Sequence, residues 1–140
     1  MIEMKEGFTL IDSLSIPSDL SNLSLVESLI DKACQQVSVD EDNYGNVLIA
    51  VTEAVNNAII HGNKLDETKL VDIGFYDDSE AFGFEIIDKG TGFDFDHLPD
   101  PTAPENIEKE NGRGIFLMRN LADEVLFNDT GNSVSVIFNK

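Results

Sequence analysis

The segment Glu53-Ala54-Val55-Asn56-Asn57-Ala58-Ile59-Ile60-His61-Gly62 sets a carboxylate, two amides and an imidazole into an otherwise apolar run. On a helical wheel of about 100° per residue, Glu53 and Asn57 share one face, one turn apart. His61 continues that stripe and Asn56 lies beside it. Val47, Val51, Val55 and Ala58 fall on roughly the opposite side, while Ile49, Ala50 and Ile60 flank the stripe. Polar groups set into a buried surface are costly without partners, so a pocket holding a polar ligand would resolve the conflict. A solvated strip is the plainer alternative. Two adjacent Asn residues in mid-helix speak against it, because Asn is a poor helix former.

Two further segments could join such a pocket. In Ile86-Ile87-Asp88-Lys89-Gly90-Thr91-Gly92-Phe93, a strand delivers a carboxylate at its end, followed by glycines that allow close backbone approach. A fixed Asp can accept a hydrogen bond from an exocyclic amine such as that of adenine. The full ligand series of a calcium loop is missing. In Asn111-Gly112-Arg113-Gly114-Ile115-Phe116, a glycine pair opens a helix, whose free N–H groups and positive dipole end suit an anion such as phosphate. Arg113 adds a forked cation. A Walker loop and an early dinucleotide fingerprint are both absent, so a nucleotide, if bound, is held in another way.

The elements that must position these residues follow from pattern. Phe8–Ile16 reads as a strand closed by Pro17, and Ser18 or Asp19 caps a helix carrying Leu20, Leu23, Val26, Leu29, Ile30, Ala33 and Val37. A second helix starts near Asp40 and stops at Gly62. Strands are expected at 71–76 and 82–87 across an Asp77–Glu80 turn, and at 123–128 and 133–138 across a Gly131-Asn132 turn. Between them lie an irregular stretch, 88–111, and a short helix after Gly112. Long irregular stretches in compact domains are usually lids or disordered. The order predicts an α+β fold. It is a two-layer sandwich with a mixed, mostly antiparallel sheet covered on one face by helices, in a single domain spanning residues 1–140.

Composition narrows the function. With 9 Lys and Arg against 27 Asp and Glu, the formal net charge is −18 over 140 residues. Such a surface repels a phosphate backbone or an anionic membrane, so neither nucleic acid nor lipid is expected as a partner. The one cysteine, Cys34, sits among apolar residues and reads as a buried structural thiol. No signal-like or membrane-spanning run is visible, which fits a cytoplasmic protein.

Taken in order, the three segments resemble the nucleotide-binding boxes of the GHKL superfamily, which shares the Bergerat fold. Residues 53–62 match its N box, 88–93 its first glycine box and 112–118 its second. Within the superfamily the chain is most similar to the anti-sigma-factor serine kinases, and the likeness covers nearly all of it. The resemblance implies ATP and Mg²⁺ as cofactors, with Asn57 ligating the metal and Glu53 as general base toward a serine hydroxyl. Asp88 would bind the adenine amino group, with Gly90, Gly92 and Phe93 shaping the wall beside it. Asn111, Gly112, Arg113, Gly114, Ile115 and Phe116 would wrap the phosphates, with a lid at about 94–111. Asn56 and His61 complete the expected nucleotide site. Ser133 stands near a position where the family often has a Thr that touches adenine, a departure whose hydroxyl can do the same work. The implied partners are a sigma factor and a STAS-domain anti-anti-sigma protein carrying the target serine, with homodimers common in the family. A non-catalytic, ATP-gated binding module of the same fold is the main alternative. A histidine-kinase catalytic part would need a helical hairpin bearing a phosphoacceptor His. A gyrase-like motor would need a longer lid and a transducer domain.

Overall fold

The computed structural model describes residues 7–90, 110–128 and 132–140, with the backbone alone for 110–114. The strands are β1 (Thr9–Pro17), β2 (Leu70–Asp77), β3 (Ala81–Ile87), β4 (Glu124–Phe127) and β5 (Ser133–Asn139), and the α-helices are α1 (Leu23–Gln36), α2 (Glu41–Asn57) and α3 (Glu110–Leu121). The strands form one sheet in the order β1-β2-β3-β5-β4. Each pairing is antiparallel, so the expected mostly antiparallel sheet is antiparallel at every described junction.

Local chemistry accounts for the boundaries. The Asp40 side chain accepts the Asn43 N–H at 2.9 Å and starts α2, with Glu41 and Asp42 at its positive end. Asp78 Oδ1 accepts the N–H groups of Glu80 and Ala81 at 2.8 and 2.7 Å, fixing the β2–β3 turn. Asp19 caps as expected, but what it caps is a 3₁₀ turn, Leu20–Asn22, that precedes α1. Ser18 does not cap. It is buried, and its hydroxyl donates to the Lys69 carbonyl at 2.6 Å. α3 begins at Glu110, two residues ahead of Gly112.

The core lies between the sheet and the helices. Ile16, Val71, Ile73, Phe75, Phe84, Ile86 and Val136 on the strands meet Val26, Ile30, Val47, Val51, Val55, Ile115 and Met118 on the helices, all buried. Phe75 and Phe84 lie 5.3 Å apart between ring centres, and Phe82 stacks on Phe138 at 5.5 Å. Cys34 belongs to this core, and burial, helped by Asp31, pushes its thiol up to about 11. The thiolate is therefore scarce at neutral pH, as the structural reading requires.

α2 does not end as an α-helix. Residues Ala58–Gly62 form a π turn, closed by the Asn63 N–H donating to the Ala58 carbonyl at 2.8 Å. Gly45, inside α2, has open space where a Cβ would stand. Gly45→Ala is therefore expected to raise unfolding stability by about 0.5–1 kcal/mol, read as a higher urea midpoint with an unchanged slope.

Candidate functional site

A cleft opens between the end of α2, the end of β3, the start of β5 and α3. Ala54, Asn57, Ala58, His61 and Gly62 line it from α2 and the π turn; Ile86 and Asp88 come from β3 and its exit. Ile115 and Met118 come from α3, while Phe127, Asn132, Ser133 and Val134 come from the closing hairpin. The floor is apolar and the few polar groups converge on it. A second hollow, toward the start of α2, is lined by Asp40, Asn43, Asn46, Phe82, Phe138 and Lys140 among others and holds no predicted site residue.

Asp88 is the most constrained polar group of the cleft. It is 8% exposed. Three successive N–H groups at the exit of β3 each have a different acceptor. Asp88 N–H donates to the Asn132 carbonyl at 3.0 Å, Lys89 N–H to Asn63 Oδ1 at 2.7 Å, and Gly90 N–H to Asp88 Oδ1 at 2.7 Å. Among the described residues no group donates to Oδ2. The carboxylate lies against Gly62, where an added Cβ would stand 2.4 Å from Oδ2. At Gly90 an added Cβ would stand 2.1 Å from the Gly62 carbonyl oxygen. Both glycines are required by close approach. Burial raises the Asp88 carboxyl above the ordinary aspartate range, opposed by the Gly90 N–H and by Lys89.

The structure gathers Asn57, His61, Asp88, Ile115 and Ser133 at one cleft from segments far apart in the chain. Gly90 lies beside it through its contact with Gly62. His61 is exposed at the rim. The π turn swings it off the straight stripe that an unbroken α-helix would give. Asn57 Nδ2 and Ser133 Oγ are buried with no hydrogen-bond partner among the described residues, and Ser133 is 3% exposed. Glu53 and Asn56 are half-buried one turn and one residue before Asn57, outside the lining. Asn111, Gly112 and Arg113 lie in the first turn of α3, whose opening N–H groups have no acceptor within the helix; Gly114 follows. Phe116 is exposed, outside the lining. Gly92, Phe93 and residues 94–109 of the lid expected at about 94–111 lie outside the described residues, and its last two, Glu110 and Asn111, are helical instead, in the first turn of α3.

Sequence reading gave no role to several lining residues, among them Met118, at the end of the second glycine box, Phe127 and Asn132. Met118 and Phe127 look like core at any spacing. Asn132 sat in an expected turn, with nothing to mark its carbonyl as the partner of Asp88. No group of three or more metal-binding His, Cys, Asp or Glu side chains occurs among the described residues. None of the described helices is long and apolar enough to cross a membrane.

A family model described as histidine kinase-like ATPase domain matches residues 16–138. The chain is 28% identical to proteins named serine-protein kinase RsbW from two Staphylococcus aureus strains (bovine RF122 / ET3-1 and MRSA252), covering 96% of this chain and 88% of each relative. It is 29% identical to the protein of that name from Staphylococcus epidermidis, covering 89% of this chain and 83% of the relative. The chain belongs to the histidine kinase-like ATPase domain family.

The raised carboxyl of Asp88 has a measurable consequence. A group whose folded pKa is raised adds stability below its unfolded value, near 3.8, and loses that contribution as pH rises through the folded value. Asp88→Asn, which keeps an oxygen for the Gly90 N–H, is therefore expected to be more stable than wild type at pH 7. The gap should close as pH falls toward that range. Urea titrations across pH check both the sign and the window.

Proposed function

We propose that this chain is a protein serine kinase of the anti-sigma type, which binds Mg·ATP in the cleft around Asp88 and transfers the γ-phosphoryl group to a serine of a STAS-domain partner. The observation that carries the reading is the convergence of Asp88, Gly62, Asn57, Ser133 and Ile115 of α3 on one cleft, in a member of this ATPase family whose relatives are named serine-protein kinases.

The roles follow from the chemistry of the groups. Asp88 Oδ2 accepts the exocyclic amine of adenine, while Ile86, Ile115, Met118 and Val134 offer apolar contact to the base. The buried Ser133 hydroxyl, with no partner among the described residues, reaches the base directly or through water. Asn56, His61, Gly90, Gly92, Phe93 and residues 111–116 complete the nucleotide site. The N–H groups that open α3, which have no acceptor within the helix, take the phosphates together with Arg113. For magnesium, the donor set fits. A single amide oxygen on Asn57, with no carboxylate cage among the described residues, suits an ion that keeps waters and binds largely through substrate phosphates. When bound, Mg²⁺ neutralises charge on the transferring phosphates. The serine oxygen attacks the γ-phosphorus, the bond to the β,γ-bridging oxygen breaks, ADP leaves and the serine proton passes to Glu53. The reading further takes the chain as a single domain that acts in the cytoplasm, with a sigma factor as second partner and self-association as a homodimer.

Labelled Mg·ATP with candidate STAS proteins tests the activity by the appearance of phosphoserine. Glu53→Ala is expected to retain ATP binding and to lose about 10²–10⁴-fold in transfer. Transfer at near wild-type rate removes Glu53 as base. ATP binding without transfer in the wild type favours the ATP-gated binding module instead. Asn57→Ala is expected to lose the Mg²⁺-dependent part of the thermal stabilisation by ATP. An unchanged shift takes Asn57 out of the metal site.

A further inference from the structure

Asn63 lies immediately after the π turn, in what the sequence presents as an ordinary loop. It is 1% exposed, among the most buried polar residues described. Its side chain makes three hydrogen bonds to three different elements. Oδ1 accepts the Lys89 N–H at 2.7 Å; Nδ2 donates to Ser18 Oγ at 2.8 Å and to the Leu70 carbonyl at 3.2 Å. The amide orientation is forced, since a backbone N–H needs the oxygen and a backbone carbonyl needs the nitrogen. Ser18 is held in turn by donating to the Lys69 carbonyl. The Asn63 N–H closes the π turn on Ala58.

These bonds tie the end of β1, the start of β2, the end of the π turn and the exit of β3 to one side chain. Lys89 N–H is the middle of the three N–H groups that fix Asp88, and the other two are satisfied by Asn132 and by Asp88 itself. Asn63 is therefore the link that holds the β3 exit against Gly62, from the side of α2. We infer that Asn63 is a positioning residue for base recognition: by gripping Lys89 N–H it sets where the free oxygen of Asp88 stands in the cleft. The inference rests on the reading that Asp88 accepts the adenine amine. It predicts that Asn63 controls which base is preferred, whereas a merely structural role would weaken every nucleotide alike.

The test compares ATP with inosine triphosphate, which lacks the exocyclic amine, by calorimetry with Mg²⁺. Wild type is expected to prefer ATP by roughly tenfold or more, the worth of a hydrogen bond to a charged acceptor. Asn63→Ala is expected to bring ATP affinity down to that of inosine triphosphate while leaving the latter within about twofold. Asn63→Asp keeps an acceptor for Lys89 N–H but loses both donors, so it should lower the melting temperature and keep the preference. Should Asn63→Ala not fold, Asn63→Asp still decides: a lost preference there contradicts the inference. A preference retained in a folded Asn63→Ala overturns it outright. Wild type that binds both nucleotides equally refutes the Asp88 reading, and wild type that binds neither refutes the proposed function; the inference falls with either.

Discussion

A carboxylate pressed against a glycine organises this molecule. Asp88 sits at the end of a central strand, almost fully buried, with its oxygens at the distance where any side chain on Gly62 would collide. Burial of a carboxylate is unfavourable, and here it raises the group's proton affinity. The surrounding structure supplies one N–H, from Gly90, and among the described residues no donor meets the second oxygen. A protein selected only for stability would place an apolar group there. The cost becomes intelligible when the open oxygen has a ligand to accept from.

The fold serves this contact. Antiparallel pairing of β3 with both β2 and β5 sets the Asp88 exit beside Asn132 and Ser133, at the end where α2 turns. The π turn widens the last helical turn and delivers Gly62 and Asn63 to the β3 exit. The buried Asn63–Ser18 pair then fastens the two sheet strands on the far side. A satisfied polar network of this kind fixes a single geometry, and a partly satisfied one would be worse than none.

Much of this was legible in the sequence, for physical reasons. The acidic start of α2 near Asp40, the apolar strand segments and the glycine after His61 are local signals, and the structure honours them. So is the carboxylate–glycine pattern at Asp88, because close backbone approach can only be written with glycine. What escaped reading is non-local or subtle in phase. A wheel of fixed pitch cannot show a π turn, so the straight stripe from Glu53 to His61 does not hold at its end. Ser18 looks like a cap until its partner, Lys69, is seen across the fold. Asn63 looks like a loop residue because its partners lie on segments distant in the chain. The first turn of α3 starts earlier than Gly112 suggests, because Glu110 and Asn111 are tolerated in a helix and glycine marks the boundary poorly there.

The central claim is that the Asp88–Gly62 contact forms the wall of a nucleotide pocket. Amide NMR during titration with Mg·ATP tests it most directly. The account predicts saturable shifts concentrated at Gly62, Lys89, Gly90 and Ser133, with those at Asn43, Asn46 and Lys140 left in place. Shifts clustered instead around the second hollow, or none at saturating nucleotide, would contradict it.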